Sequence, residues 1–203
     1  MVFSYSEDQG ATWSATGHIN SWAASDISTD YFPIIDMNSN GFAVTAWSGH
    51  DGTNDLNVFV ATSMDFGKTW SDAVLINQYA EFDGTSDHDY PTSVLVTEDN
   101  IAIISWEGET QVYGSDSDLF YSVSTDLGLT WSIEQGFNPD FDTDSGNDSD
   151  LVIKQASDGT WIGYYQDQAT RNSYMRTSDD LENWSDPILV TDDSNDRASI
   201  VIH

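Results

Sequence analysis

Between Asp140 and Asp150 the chain places acids at close intervals, Asp140, Asp142, Asp144, Asp148 and Asp150, with Gly146 inside the run. Carboxylates at every second position are how a loop wraps a hard divalent cation, because calcium takes six to eight oxygen ligands. Asp140, Asp142, Asp144 and Asp148 are the expected ligands of such a site. The glycine stands one place later than in an EF-hand, and no glutamate follows at the twelfth position. An EF-hand is therefore excluded, while a looser calcium loop and a solvated acidic loop both fit. A second set of residues is aromatic. Trp47, Trp106 and Tyr165 stand 59 residues apart and close three apolar runs. At the rim of a sheet they would stack sugar rings; inside it they would be core, since large aromatics dominate cores. His18, His50, His88 and His203 share no metal-ligand spacing. The sequence requires no cofactor, and Ca2+ is the one ion it suggests.

Charge narrows the partners. Five Lys and Arg face 35 Asp and Glu, a formal net charge of −30 over 203 residues. Nucleic acid needs basic patches and is excluded as a partner; an anionic membrane surface is disfavoured for the same reason. No apolar run approaches the ~18 residues of a membrane span, so no insertion is expected. Residues 1–10 do not read as a signal peptide. With no cysteine there is neither a disulfide framework nor a thiolate metal site. Eight tryptophans and 13% aromatics supply material for a core, unlike a disordered acidic tail. A surface this acidic is tolerated where salt screens it. The expected setting is salty or calcium-rich, outside the cell or on its surface.

The elements that must carry these residues repeat. Ser6-Glu7-Asp8-Gln9-Gly10-Ala11-Thr12-Trp13 recurs at Ser63 to Trp70 and at Ser124 to Trp131, each time as S-x-D-x-G-x-T-W. A fourth copy, Ser178 to Trp184, keeps Ser178, Asp180 and Trp184 but loses the glycine and threonine. Around each copy lie short alternating apolar runs: 42–47, 101–106 and 161–165 before a third run, and 73–76 or 187–190 after the motif. Four short strands per ~59 residues, with turn signals between and no helical period, predict blades of a β-propeller. The segments are 1–29, a partial blade with its box; 30–88, 89–147 and 148–195, three blades; and 196–203, a lone first strand. This phase predicts an all-β chain of about three and a half four-stranded antiparallel blades, part of a longer propeller whose remaining blades are its partners.

The motif resembles the Asp-box, or bacterial neuraminidase repeat, of sialidases and related six-bladed propellers. In that family the box is the hairpin between third and fourth strands, on the face opposite the active site. Asp8, Asp65, Asp126 and Asp180 are accordingly expected to accept hydrogen bonds from turn amides. Gly10, Gly67 and Gly128 are expected at positive φ, and Trp13, Trp70, Trp131 and Trp184 in seams beside the next strand.

The resemblance implies a glycan-directed protein whose active face gathers the loops 14–30, 77–90, 136–150 and 191–197 with 48–55, 107–118 and 166–172. Much of the acid falls there, including Asp83, Asp87, Asp89, Glu109, Asp116 and Asp118, together with Arg171 and Arg197. A sialidase clamps its substrate carboxylate with three arginines and uses a loop Asp as acid and a Tyr–Glu pair as nucleophile. Asp51 and Asp55 lie where the loop acid would be, and Glu107 and Tyr165 near the later partners. Arg171 and Arg197, with Trp47 and Trp106, are the candidate ligand-binding residues. The R-I-P sequence that carries the first arginine is replaced by Tyr31-Phe32-Pro33 and Asp89-Tyr90-Pro91. The implied function is exo-sialidase or related glycoside hydrolysis completed by further blades. The alternative is a non-catalytic, calcium-stabilised propeller of a cell-surface protein that binds a glycan, glycoprotein or other protein.

Overall fold

The computed structural model describes residues 1–19, 29–50, 55–77, 88–109, 116–139, 141, 143 and 145–192. Its strands are β1 (Val2–Phe3), β2 (Gly17–His18), β3 (Tyr31–Met37), β4 (Ala43–His50), β5 (Leu56–Ser63), β6 (Val74–Leu75), β7 (Tyr90–Val96), β8 (Ala102–Glu109), β9 (Ser117–Ser124), β10 (Gln135–Gly136), β11 (Asp148–Gln155), β12 (Trp161–Asp167), β13 (Asn172–Ser178) and β14 (Ile188–Thr191). They form a two-stranded sheet, β1-β2, then three four-stranded sheets in the orders β3-β4-β5-β6, β7-β8-β9-β10 and β11-β12-β13-β14. Every pairing is antiparallel and joins neighbours in sequence. These sheets resemble propeller blades. Closure into a ring is not seen among the described residues.

The sheets stack through the faces of their first three strands. Val44, Ala46, Val58 and Val60 of the second sheet pack on Val94, Val96, Ala102 and Ile104 of the third. Ile103, Leu119 and Tyr121 of the third pack on Leu151, Ile153, Trp161 and Tyr165 of the fourth. The repeat makes the logic visible at Ile35, Val94 and Ile153, 59 residues apart. Val94 and Ile153 are 8% and 1% exposed, but Ile35 is 63% exposed. Among the described residues, only the first two have a four-stranded sheet before them. Burying such a side chain contributes about 1.5–3 kcal/mol, so a four-stranded neighbour is what each first strand requires.

Two expectations about tryptophan are corrected here. The box tryptophans pack backward, on the preceding sheet, rather than beside the next strand. Trp70 meets Phe3 of β1 edge-on with ring centres 6.2 Å apart. Trp184 meets Tyr121 and Phe137 at 6.0 and 4.8 Å, and Trp131 packs on the cluster shared by the second and third sheets. Trp13 belongs to the first sheet, has no sheet behind it among the described residues, and is 65% exposed. Trp47 and Trp106 are core and not sugar platforms. Each is 1% exposed and stacks on the residue opposite it in the third strand, Phe59 or Phe120, at 6.1 Å. The middle strands are covered on both faces, which leaves an aromatic there no open ring face.

Each box is a closed turn. Ser6 Oγ donates to Asp8 Oδ1 (2.8 Å) and accepts from the Gly10 amide (2.8 Å), while Asp8 accepts from both the amide and hydroxyl of Thr12 at 2.8 and 2.6 Å. The same four bonds recur around Asp65 and Asp126. In the fourth copy Asn183 supplies the amide and side-chain donors to Asp180, at 2.8 Å each. At Gly67 the turn runs at φ +76°, a conformation that disfavours any Cβ.

Two ends result. The Phe66 amide donates to Gly41 O at 3.1 Å, which puts the boxes beside the turns that leave the first strands. The opposite end carries the connections from β4 to β5, β8 to β9 and β12 to β13, and from each sheet to the next first strand. We call it the loop end.

Candidate functional site

The loop end is organised by the starts of the first strands. Asp30, Asp89 and Asp148 stand there, 59 residues apart, and the strands they begin, β3, β7 and β11, lie side by side. Asp89 is 4% exposed. Its carboxylate accepts from Asn77 Nδ2 at 2.5 Å, its amide donates to Leu56 O at 2.8 Å, and its carbonyl accepts from Ser48 Oγ at 2.6 Å. A Cβ on Gly108 would lie 2.0 Å from Asp89 Oδ1, so this close approach requires glycine. Gly49 has the same relation to Asp30, with a Cβ 3.1 Å from Oδ1. In the fourth sheet Asp167 replaces that glycine and pairs with Asp148 in register.

Buried carboxylates persist only where donors meet them. Asn77 and Asn138 supply these in parallel. Each caps a third-strand amide, Val58 at 3.1 Å and Leu119 at 3.4 Å. Each also donates to the residue before that strand position, Asn57 at 2.8 Å and Asp118 at 3.2 Å. Asp55 is 3% exposed, with His88 Nδ1 3.7 Å from its Oδ1. It is a buried pillar of the site and not the solvent-facing loop acid expected.

The exposed chemistry sits on bulges. The register of every first strand slips near its start, between Tyr31 and Ile34, Pro91 and Ser93, and Ser149 and Val152. Bulges re-aim side chains and cluster beside active sites. Phe32 and Asp150 occupy the slip at φ +52° and +61°, a conformation that is costly for a bulky side chain. Phe32, 58% exposed, meets Tyr90 edge-on at 5.3 Å and 88°; Tyr31 lies 6.1 Å from Phe32 and His88 6.2 Å from Tyr90. The Asp150 amide donates to Glu107 Oε1 at 3.2 Å, and Glu107 stands opposite Tyr90 in the β7–β8 ladder. Burial first, then the charges of Glu109, Asp89 and Glu107, pushes the Tyr90 hydroxyl above its usual pKa. Tyr90 is thus a neutral hydrogen-bond donor among carboxylates.

Of the residues singled out by sequence, the structure places Glu107 here. Tyr165 is excluded as a nucleophile at this face, being 4% exposed between Tyr174 and Phe137 at 5.6 and 5.7 Å. Arg171 is exposed in the β12–β13 turn at φ +61°. Arg176 is occupied elsewhere, donating to Phe137 O and Ser185 O. Asp148 begins β11, buried. Asp51, Arg197, Asp140, Asp142 and Asp144, together with the strand expected at 196–203, lie outside the described residues. Among the described residues no group of three or more His, Asp and Glu is arranged for a metal ion, and no helix is long and apolar enough to cross a membrane. Sequence reasoning noted Tyr31, Phe32, Tyr90 and Asp150 without assigning any of them to the site. The signal was the recurrence of Asp30-Tyr31-Phe32-Pro33 as Asp89-Tyr90-Pro91 at the repeat interval.

No protein-family model and no curated protein matches the sequence. Solved structures do. The Hadza microbial sialidase Hz136 superposes with a TM-score of 0.62 and 18% identity, over 91% of this chain and 39% of that one. An intramolecular trans-sialidase from Ruminococcus gnavus gives 0.63 and 13%, over 88% and 64%. An α-L-arabinanase from Penicillium chrysogenum, complexed with arabinobiose, gives 0.53 and 17%, over 80% and 49%. The likeness is one of fold. The chain spans 39–64% of the length of these three proteins.

Proposed function

We propose that the chain belongs to a carbohydrate-active propeller and that its loop end takes a neutral glycan. Tyr31, Phe32 and Tyr90 form the stacking wall, and Glu107 and Asp150 are the carboxylates that meet the sugar hydroxyls. The observation that carries the proposal is the Phe32–Tyr90–Glu107–Asp150 cluster. It joins the exposed ring of Phe32 and the half-buried Tyr90 to two acids, with Phe32 and Asp150 held on bulges at positive φ. Stacking against C–H faces and carboxylate–hydroxyl bonding suit a polyhydroxyl ring without charge.

Sialoside chemistry is disfavoured on electrostatic grounds. A sugar acid needs bidentate guanidinium partners. Among the described residues Arg171 is the one arginine at the loop end, while carboxylates crowd it. If the protein hydrolyses its glycan, Glu107 and Asp150 are the candidate carboxylate pair, since glycosidases use two carboxylates across the scissile bond. The acidic surface fits a protein working outside the cell.

The test is calorimetric titration of the chain with arabinobiose and with 3′-sialyllactose, repeated with Glu107→Gln and Phe32→Ala. Saturable binding of the neutral sugar that both variants weaken by about tenfold or more, about 1.4 kcal/mol, supports the proposal. Preference for the sialylated sugar, or binding indifferent to both variants, refutes it.

A further inference from the structure

The fourth sheet has two faces, and the third sheet covers one of them. Tyr165 and Tyr174 pack toward the third sheet. Side chains alternate along a strand, so Ile162, Tyr164, Ser173 and Met175 point the other way. In the β12–β13 ladder Tyr164 pairs with Met175, and Ser173 with Gln166. Among the described residues no strand lies beyond this outer face. Tyr164 and Ser173 are nonetheless 3% and 0% exposed. Neither Tyr164 Oη nor Ser173 Oγ has a hydrogen-bond partner among the described residues. Unmet buried hydroxyls are costly, and two on one face call for acceptors from whatever covers it.

The other junctions show what supplies them. Ser48 Oγ donates to Asp89 O at 2.6 Å, and Ser105 Oγ to Leu151 O at 3.0 Å. Each time a hydroxyl on a second strand bonds a carbonyl at the next first strand. Beside these bonds Val94 and Ile153, from the first strands, are buried against the preceding sheets. Tyr164 stands 59 residues after Ser105, at the same place in its own sheet.

The sequence carries one more segment of first-strand type. Asp30, Asp89 and Asp148 stand at first-strand starts, and Ile35, Val94 and Ile153 follow five residues later; Asp196 is followed at the same distance by Val201. β14 ends at Thr191, opposite Ser173, at the loop end where first strands begin. The extended chain from Thr191 to Asp196 reaches about 17 Å, against about 14 Å for the three strand spacings back to the line of β11. Charge favours this segment over a second copy. Asp196 and Arg197 cancel one another, whereas another chain of charge −30 is repelled.

We propose that residues 196–203 dock on the outer face of the fourth sheet, as a first strand beside β11. Val201 packs on Ile162 and Met175, and backbone carbonyls of the segment accept from Tyr164 Oη and Ser173 Oγ. The face is thus an intramolecular docking surface, and its argument does not depend on the glycan reading of the loop end.

The test is amide hydrogen exchange of the full chain, resolved over residues 198–203, beside a synthetic peptide of residues 192–203. Exchange at Ser199 to Ile202 is expected to be about 100-fold or more slower than in the peptide, at a rate independent of protein concentration. Val201→Asp should return it to the peptide rate. Tyr164→Phe should speed it by about threefold or more, because the docked strand loses a donor. Were that hydroxyl unmet in the folded chain, its removal would leave exchange unchanged or slow it. Peptide-rate exchange in the full chain, protection indifferent to Val201→Asp, or no acceleration in Tyr164→Phe overturns the proposal. Protection that grows with protein concentration overturns it too, since the occupant would then be a second copy.

Discussion

The backbone N–H of Asp150 donates to Glu107 Oε1 at 3.2 Å while Asp150 itself holds φ +61°. The bond links the fourth sheet to the third and fixes one acid with the backbone of another. A strained residue that also positions a carboxylate is how a bulge serves recognition. Asp150→Gly removes the penalty of a side chain at positive φ and adds the flexibility of glycine. These terms are each about 1 kcal/mol and oppose one another. Urea unfolding of Asp150→Gly should therefore match the parent to within about 1 kcal/mol, while glycan affinity falls. A large loss of stability with affinity intact would contradict this assignment.

Burial separates two tryptophans, one in a middle strand and one in a box. Trp106→Ala removes a fully buried ring between sheets and should cost about 3–5 kcal/mol. Trp13→Ala, at 65% exposure, should change stability by less than about 0.5 kcal/mol. Denaturant midpoints with unchanged slopes would show both directly. Equal losses at the two positions would mean that Trp13 is covered in solution.

Acid should unfold the boxes. The Thr12 hydroxyl and then its amide hold the Asp8 carboxyl at about 2, down from 3.8. Asp65 is lowered chiefly by the Thr69 amide, Asp126 by the Thr130 hydroxyl, and Asp180 by the Asn183 amide. A depressed folded pKa contributes stability that is present above the unfolded value and lost as pH falls through the folded one. Thermal midpoints should thus hold down to about pH 4 and then fall steadily toward pH 2. The alkaline limb has the opposite origin. Burial raises the Tyr121 hydroxyl, and Tyr90 rises likewise, so folding opposes their ionisation and stability declines above about pH 10. Ultraviolet titration should show tyrosines that ionise late in the folded chain and normally in denaturant.

Salt should stabilise the chain. At −30 over 203 residues self-repulsion opposes the compact state, and at 1 M salt the Debye length falls to about 3 Å. The thermal midpoint should climb from low salt to molar NaCl, with KCl giving the same curve. A midpoint that falls over that range would remove the reading of the acidic surface as an adaptation to a salty setting.

The four-stranded sheets were legible because their signal is local and repeated. Phe42 to Trp47 and Ile101 to Trp106 alternate at strand period and recur at a fixed interval. The box turn is local too: Ser63, Asp65, Gly67 and Thr69 bond one another within seven residues, a span that a motif can encode. The direction of tryptophan packing was not legible, because whether Trp70 meets Phe3 or the following sheet depends on how sheets stack. Trp47 and Trp106 posed the same difficulty, since period alone does not say which strands are covered on both faces. The site was the least legible part. Phe32 and Asp150 owe their exposure and contacts to bulges, and a one-residue slip leaves little trace in a pattern of alternating side chains.

The most direct measurement is a binding survey of the chain against neutral and sialylated oligosaccharides of matched length, with Glu107→Gln alongside. The account predicts that the neutral members bind, that terminal sialylation weakens binding, and that Glu107→Gln removes the difference by removing the site. Tighter binding of the sialylated members, undiminished in Glu107→Gln, would contradict it.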